Sequence, residues 1–293
     1  MYKRQTKAHA PIDALRMAIG TVDLDRGDSD ADYLARLILA RMPVIVAAYH
    51  RLRGGQAPVA PDPALGHAAN YLAMLNGVEP PPGQVRGLET YLNTAIDHGL
   101  NASTFAARVI IATQSDLVSA VTGAVGALKG PLHGGAPGPA LDMVFEIGHA
   151  ERAEAYLRRK LDSGERLMGF GHRVYKVRDP RADVLGGAAE SMYADGGDMA
   201  LYRLARDVEK IALQLLEEYK PGRNLQTNVE FYTALLLHGL GLPTDLFTPT
   251  FAVGRTGGWI AHCFEQIETG RLIRPKAAYV GEFDHVWTPL DQR

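Results

Sequence analysis

The chain has 293 residues, 46% hydrophobic and 22% charged, with a formal net charge of -2. A chain this long buries about three quarters of the surface its unfolded form exposes, so its core needs no staples. The near-neutral balance, with no dominant lysine-arginine run, leaves generalised nucleic-acid binding without electrostatic support, and the one cysteine, Cys263, excludes an intramolecular disulfide and fits a reducing cytoplasm.

The opening "MYKRQTKAHAP" is basic but has no apolar core behind it, so no signal peptide is expected. "DSDADYLARLILARMPVIVAAYHRL" carries Asp and Ser caps and then apolar residues at three- and four-residue steps, which predicts a helix kinked at Pro43. It contains the longest apolar stretch, but two arginines and a proline make that a buried helix and not a membrane span. "DPALGHAANYLAML", "VRGLETYLNTAIDHG" and "ASTFAARVIIAT" repeat the helical signal. "SDLVSAVTGAVGALKG" opens on a Ser-Asp cap, ends at a glycine, and has small residues suited to close helix packing. "KGPLHGGAPGP" then breaks the pattern around a single imidazole, His133. "HAERAEAYLRRKLDSG" predicts a surface helix. "MGFGHRVYKVRDPRAD" is a second break, with Asp179 as N-cap and Pro180 at the first helical position. "ALYRLARDVEKIALQLLEEYKPG" is a longer helix stopped by Pro221 and Gly222. "NVEFYTALLLHGLGLP" and "TPTFAVGRTGGWIAHCFEQIETG" complete the set. Strands are scarce, and only "RLIRPKAAYVGEF" reads as extended. The expected fold class is all-α, with two lobes and a cleft between them.

Several residues in the breaks suggest chemistry. A lone turn histidine is more often a cap than a ligand, but the glycines beside His133 let a ligand or another backbone come close. His172 follows Gly169, Phe170 and Gly171, and Arg173, Lys176, Arg178 and Arg181 crowd after it. Glycines with that cationic density suit an anion. Asn228 and Glu230 open an apolar helix, where a carboxylate complements the helix dipole. His98 sits at a helix end. Arg255 lies inside an apolar helix, which is costly unless the charge is paired, so it expects an anion. Arg274 by itself is an ordinary surface charge. The ten histidines do not pair at ligand spacing, and there is no H-E-x-x-H or C-x-x-C, so no metal site is expected.

"GPLHGGAP", "MGFGHRVYKVRDPRA", "NVEFY" and "FTPTFAVGRTGGWIAH", in this order and spacing, resemble citrate synthase. The likeness runs from about "PIDALRMAIG" to "RPKAAYVG", and the variants "HGGAP" and "NVEFY" most resemble a short bacterial branch of the family. The resemblance implies a large helical domain at residues 11–137 and 235–293, a small inserted CoA-binding domain at 138–234, and an active-site cleft between them. It further implies that residues 1–10 are a tail foreign to the family, whose N-terminal segment this chain lacks. By the same resemblance, His133 matches the histidine that bonds the thioester carbonyl, His172 the one beside the oxaloacetate keto oxygen, and Glu230 the position where most members have an aspartate base. His98, Arg181 and Arg255 match oxaloacetate-binding residues, and Arg274 the arginine donated by a neighbouring subunit. Gly169, Phe170 and Gly171, with Lys176 and Arg223, match the region that holds CoA. Pro137 stands where an asparagine is common.

The implied protein is a cytoplasmic homodimer that condenses acetyl-CoA with oxaloacetate and water, giving citrate and CoA. It needs no cofactor, the CoA thioester being a substrate, and no nucleic acid or membrane. Two alternatives remain open at this level. A 2-methylcitrate synthase would use propionyl-CoA with the same residues, since one methylene changes pocket discrimination by only about 1–3 kcal/mol. An N-terminally truncated paralogue would fold and bind with impaired or no turnover.

Overall fold

A computed structural model describes residues 9–22, 30–134, 137–171 and 178–293. His172 and Lys176 lie outside them. The described helices are α1 (Pro11–Ile19), α2 (Ala31–Arg53), α3 (His67–Asn76), α4 (Pro82–Ala95), α5 (Ala102–Ile111), α6 (Leu117–Leu128), α7 (Pro137–Ile147), α8 (Ala150–Asp162), α9 (Pro180–Ala194), α10 (Met199–Tyr219), α11 (Val229–Gly239) and α12 (Phe247–Thr269). Among the described residues, the one extended pairing is an isolated antiparallel bridge between Phe170 and Thr227. The fold is all-α, and no described helix is long and apolar enough to cross a membrane.

Short polar side chains start six of these twelve helices by accepting from otherwise unpaired N–H groups. Asp30 caps α2 through Tyr33, Asp116 caps α6 through Ser119, and Asp198 caps α10. Asp179 caps α9 with Pro180 in the first turn, as the sequence predicts. Two boundaries differ from the sequence reading. The α3 helix begins at His67 and not near Asp62, because Asn70 Nδ2 donates to the carbonyls of Asp62 and Leu65, at 2.7 and 2.9 Å, and holds that stretch as a loop. The prolines after His133 do not prolong a loop. Pro137 opens α7, where a missing N–H costs nothing and the fixed φ suits the first turn.

Apolar faces then sort the helices into two packed groups. The α12 helix is the spine of the first and packs on α2, α4, α5 and α6, with Trp259 and Cys263 fully buried. In the second, α11 packs on α7 and α9, and α10 packs on α8 and α9. The groups meet where α9 lies against α4. The expected boundary after residue 234 falls inside α11. The cleft is lined from both groups.

Candidate active site

The first wall is built by helix ends. Asn101 caps α5 by accepting from Thr104 N–H at 3.1 Å, which leaves Ser103 buried in the first turn. Facing it is the turn after α6. His133 N–H donates to Gly130 O at 2.9 Å, and Gly134 N–H to Leu128 O at 3.0 Å. A Cβ on Gly134 would stand 2.4 Å from Leu128 O, so only glycine lets this turn close against the end of α6. The turn delivers His133 half-buried, edge-on to Phe251.

Ser103 fixes the state of that imidazole. Its Oγ lies 2.8 Å from His133 Nε2 and its backbone N–H donates toward the same nitrogen at 3.4 Å. An amide can only donate, so the network assigns the lone pair to Nε2 and the proton to Nδ1. Trp259 Nε1–H donates to the same hydroxyl at 3.0 Å, and Asn101 Oδ1 is 2.8 Å away. Burial, reinforced by the charge of Arg255, pushes the pKa of His133 below its ordinary value, so the ring is neutral at pH 7. Sequence reasoning missed Ser103. It is 30 residues from His133, and a serine in the first turn of a helix ordinarily reads as a cap partner.

Arg255 is 2% exposed. Its Nε donates to Ala95 O at 2.6 Å and its guanidinium sits 4.8 Å above the Phe251 ring. Burial lowers its pKa to about 10, which still leaves it charged at neutral pH. Among the described residues no carboxylate lies within ion-pair distance of it, which is the arrangement expected of a cation reserved for an anionic ligand.

The second wall is a stitched pair of turns. Gly171 N–H donates to Gln226 O at 2.7 Å, Asn228 N–H to Gly169 O at 2.9 Å, and Asn228 Nδ2 to Gly171 O at 2.8 Å. Gly169 has φ +87°, and a Cβ there would meet Phe231 at 3.0 Å, so both conformation and space require glycine. Asn228 also caps α11, accepting from Glu230 N–H at 3.0 Å. Asp179 joins the same wall. Its Oδ2 accepts from Val229 N–H at 3.3 Å and from Arg181 Nη2 at 2.8 Å, and its Oδ1 from Arg181 Nε at 3.0 Å. Burial works against its charge, yet the bonds from Arg181 prevail and hold the carboxyl below its usual range. The N-cap read from sequence is therefore also the link between α9 and the Glu230 turn.

Two cavities meet in this cleft. One, of about 280 Å³, is lined by His98, His133, Arg181, Glu230 and Arg255. The other, of about 600 Å³, runs past Gly169, Phe170 and Gly171 to Arg166, Lys220 and Arg223. Gly171, Asn228 and Glu230 line both. At this junction burial raises the Glu230 carboxyl to about 7, with Arg181 and Arg255 opposing the rise and Asp179 adding to it. Arg166 and Lys220 were not singled out in the sequence, where they read as ordinary surface cations. Arg274 lines neither cavity and is exposed in the irregular segment after α12. Among the described residues no group of three or more His, Cys, Asp or Glu is placed to hold a metal ion.

A family model described as "Citrate synthase, C-terminal domain" matches residues 1–276, beginning ahead of Pro11. A citrate synthase of Haloferax volcanii is 44% identical over 97% of this chain and 76% of its own length. Citrate synthase 2 of Bacillus subtilis is also 44% identical, with the same coverage. Among solved structures, a ternary complex of Thermoplasma acidophilum citrate synthase with carboxymethyl coenzyme A and oxaloacetate superposes with a TM-score of 0.88 at 28% identity, covering 100% of this chain and 78% of that one.

Proposed function

This chain belongs to the citrate synthase family, and from that premise we propose that it condenses acetyl-CoA with oxaloacetate and water, releasing citrate and CoA. The observation that carries the reading is the meeting of the two cavities at Glu230. The smaller, with Arg181, Arg255 and His98, suits a compact dicarboxylate; the larger, rimmed by Arg166, Lys220 and Arg223, suits a phosphorylated carrier. A thioester methyl threaded from the larger cavity would reach Glu230 beside the keto acid.

A thioester methyl is a very weak carbon acid, so a carboxylate removes its proton only if the enolate oxygen is stabilised as it forms. A neutral imidazole with its proton on Nδ1 supplies that donor, and His133 is held in this state. A base whose pKa is near 7 is both ionised and strong enough to take the proton. The enol carbon then attacks the keto carbon, whose oxygen needs a proton or hydrogen bond; His172 has that role in this scheme. The arginines fix the attack geometry through the two carboxylates, and closure of the 138–234 lobe would keep water away until the carbon–carbon bond exists.

The test is release of free thiol from acetyl-CoA or propionyl-CoA in the presence and absence of oxaloacetate. Release that requires oxaloacetate and is faster with acetyl-CoA is expected. Faster turnover of propionyl-CoA would select the 2-methylcitrate reading, and no release with either would overturn both.

The reading includes a cytoplasmic homodimer in which Arg274 completes the partner's site, its support being the exposed segment after α12. An isologous contact would serve both sites equally. Arg274→Ala and Glu230→Gln chains, each inactive alone, should regain activity when mixed and reassociated, because one hybrid site receives both native residues. Sedimentation as a fully active monomer, or no recovery on mixing, would remove Arg274 from the site.

A further inference from the structure

Glu209 is a carboxylate the mechanism above does not use. It lies in the middle of α10, 4% exposed. Four side chains converge on it. Oε1 accepts from Thr227 Oγ1 at 2.7 Å and from Arg178 Nη1 at 2.8 Å. Oε2 accepts from Tyr232 Oη at 2.6 Å and from Arg206 Nη1 at 3.1 Å. Burying an ion costs several kcal/mol before its partners return anything, so overall stability alone is a weak reason for such a group.

The partners share a position instead. Thr227 precedes Glu230 by three residues and Tyr232 follows it by two. Arg178 adjoins Asp179, which accepts from Val229 N–H. Thr227 is 1% exposed and Tyr232 fully buried, so neither has water as an alternative partner. We propose that Glu209 is a positioning residue for the general base: one carboxylate grips the Glu230 turn on both sides and locks it to the start of α9. This rests on the assignment of Glu230 as the base.

Charged and titratable groups face both carboxylates. Around Glu230 they are Asp179 and Arg181 at the start of α9, Arg255 from α12 and Tyr91 from α4, with His98 and His133 lining the same cavity. Around Glu209 they are Arg178, Arg206, Tyr232 and Tyr202. A loosened turn would admit more water around Glu230 and relieve part of the burial that raises its pKa. Arg255, carried by α12 in the other helix group, would keep its hold on the keto acid, while Arg181, at the start of α9, would loosen with the turn.

The experiment compares Glu209→Gln, Tyr232→Phe, Thr227→Val and Glu230→Gln with the native enzyme. Glu209→Gln keeps the shape but loses the charge and turns an NH2 toward one of the two guanidinium partners. Its kcat should fall about tenfold to a hundredfold, the usual effect of misplacing a reacting group by about 1 Å. The KM for oxaloacetate should rise far less than kcat falls, because Arg255 keeps its place, and the acid limb of the kcat/KM profile should move to lower pH. Lost stability alone would reduce the active fraction and leave that limb in place. Should Glu209→Gln fail to fold by circular dichroism, Tyr232→Phe and Thr227→Val each remove one arm and should shift the limb in the same direction. A native kcat and native limb in Glu209→Gln, or native limbs in both single-arm variants, with Glu230→Gln inactive, overturn the clamp. Turnover by Glu230→Gln would instead remove the premise, and the clamp with it.

Discussion

Glu230→Gln is expected to lose turnover almost completely while still binding oxaloacetate. The amide keeps the shape and fills the same junction of cavities, but it cannot accept the methyl proton. Exchange of acetyl-CoA methyl protons into heavy water, in the presence of a non-reacting oxaloacetate mimic, should stop in the variant. In the native enzyme kcat/KM should fall on the acid side with a midpoint near 7, because the free enzyme's carboxyl is raised to about 7 by burial and must be ionised to act. The same shift has a stability consequence. A carboxyl raised from its ordinary value of 4.5 favours the protonated fold. Its unfavourable contribution is absent below about 4.5, grows as pH rises to about 7, and is constant above. Glu230→Gln should therefore raise the melting temperature relative to native at pH 8 and not at pH 4. Glu230→Asp should fall well below native kcat, since the shorter side chain under-reaches from the same turn. An active Gln variant would require another carboxylate as base.

His133→Ala is the second large effect: kcat should fall about a hundredfold or more, with the helical fold and oxaloacetate binding intact. The donor it removes matters most when charge develops on the thioester oxygen. The loss should be nearly flat above pH 7, because burial and the charge of Arg255 hold the ring's pKa below its ordinary value. An alternative role as an imidazolium donor predicts native activity that dies as pH rises through the ring's own titration. Measuring kcat across this range for the native enzyme, with circular dichroism of the variant, separates the two. A variant with near-native kcat would remove His133 from the chemistry.

Much of the fold was legible because it is local. Helical periodicity and the Asp and Asn residues at 30, 116, 179 and 228 are properties of a few adjacent residues, and they located α2, α6, α9 and α11. The same local reasoning missed α7, because Pro137 and Pro139 read as breakers when prolines also suit a first turn. It also began α3 too early, because the bonds that hold Asp62 to Leu65 as a loop come from Asn70, outside that stretch.

The ordered motifs around His133, Gly169, Glu230 and Arg255 determined the family and which residue types the chemistry can draw on, since those follow from identity and order along the chain. Only the tertiary structure decided their states. The tautomer of His133 depends on Ser103 from another helix, and the raised carboxyl of Glu230 on how much water α4, α9 and α12 exclude. The service of Glu209 as a common partner of Thr227, Tyr232 and Arg178 depends on where α10 packs. Desolvation, proton placement and shared hydrogen bonding are sums over neighbours in space, and the chain order does not say which neighbours those are.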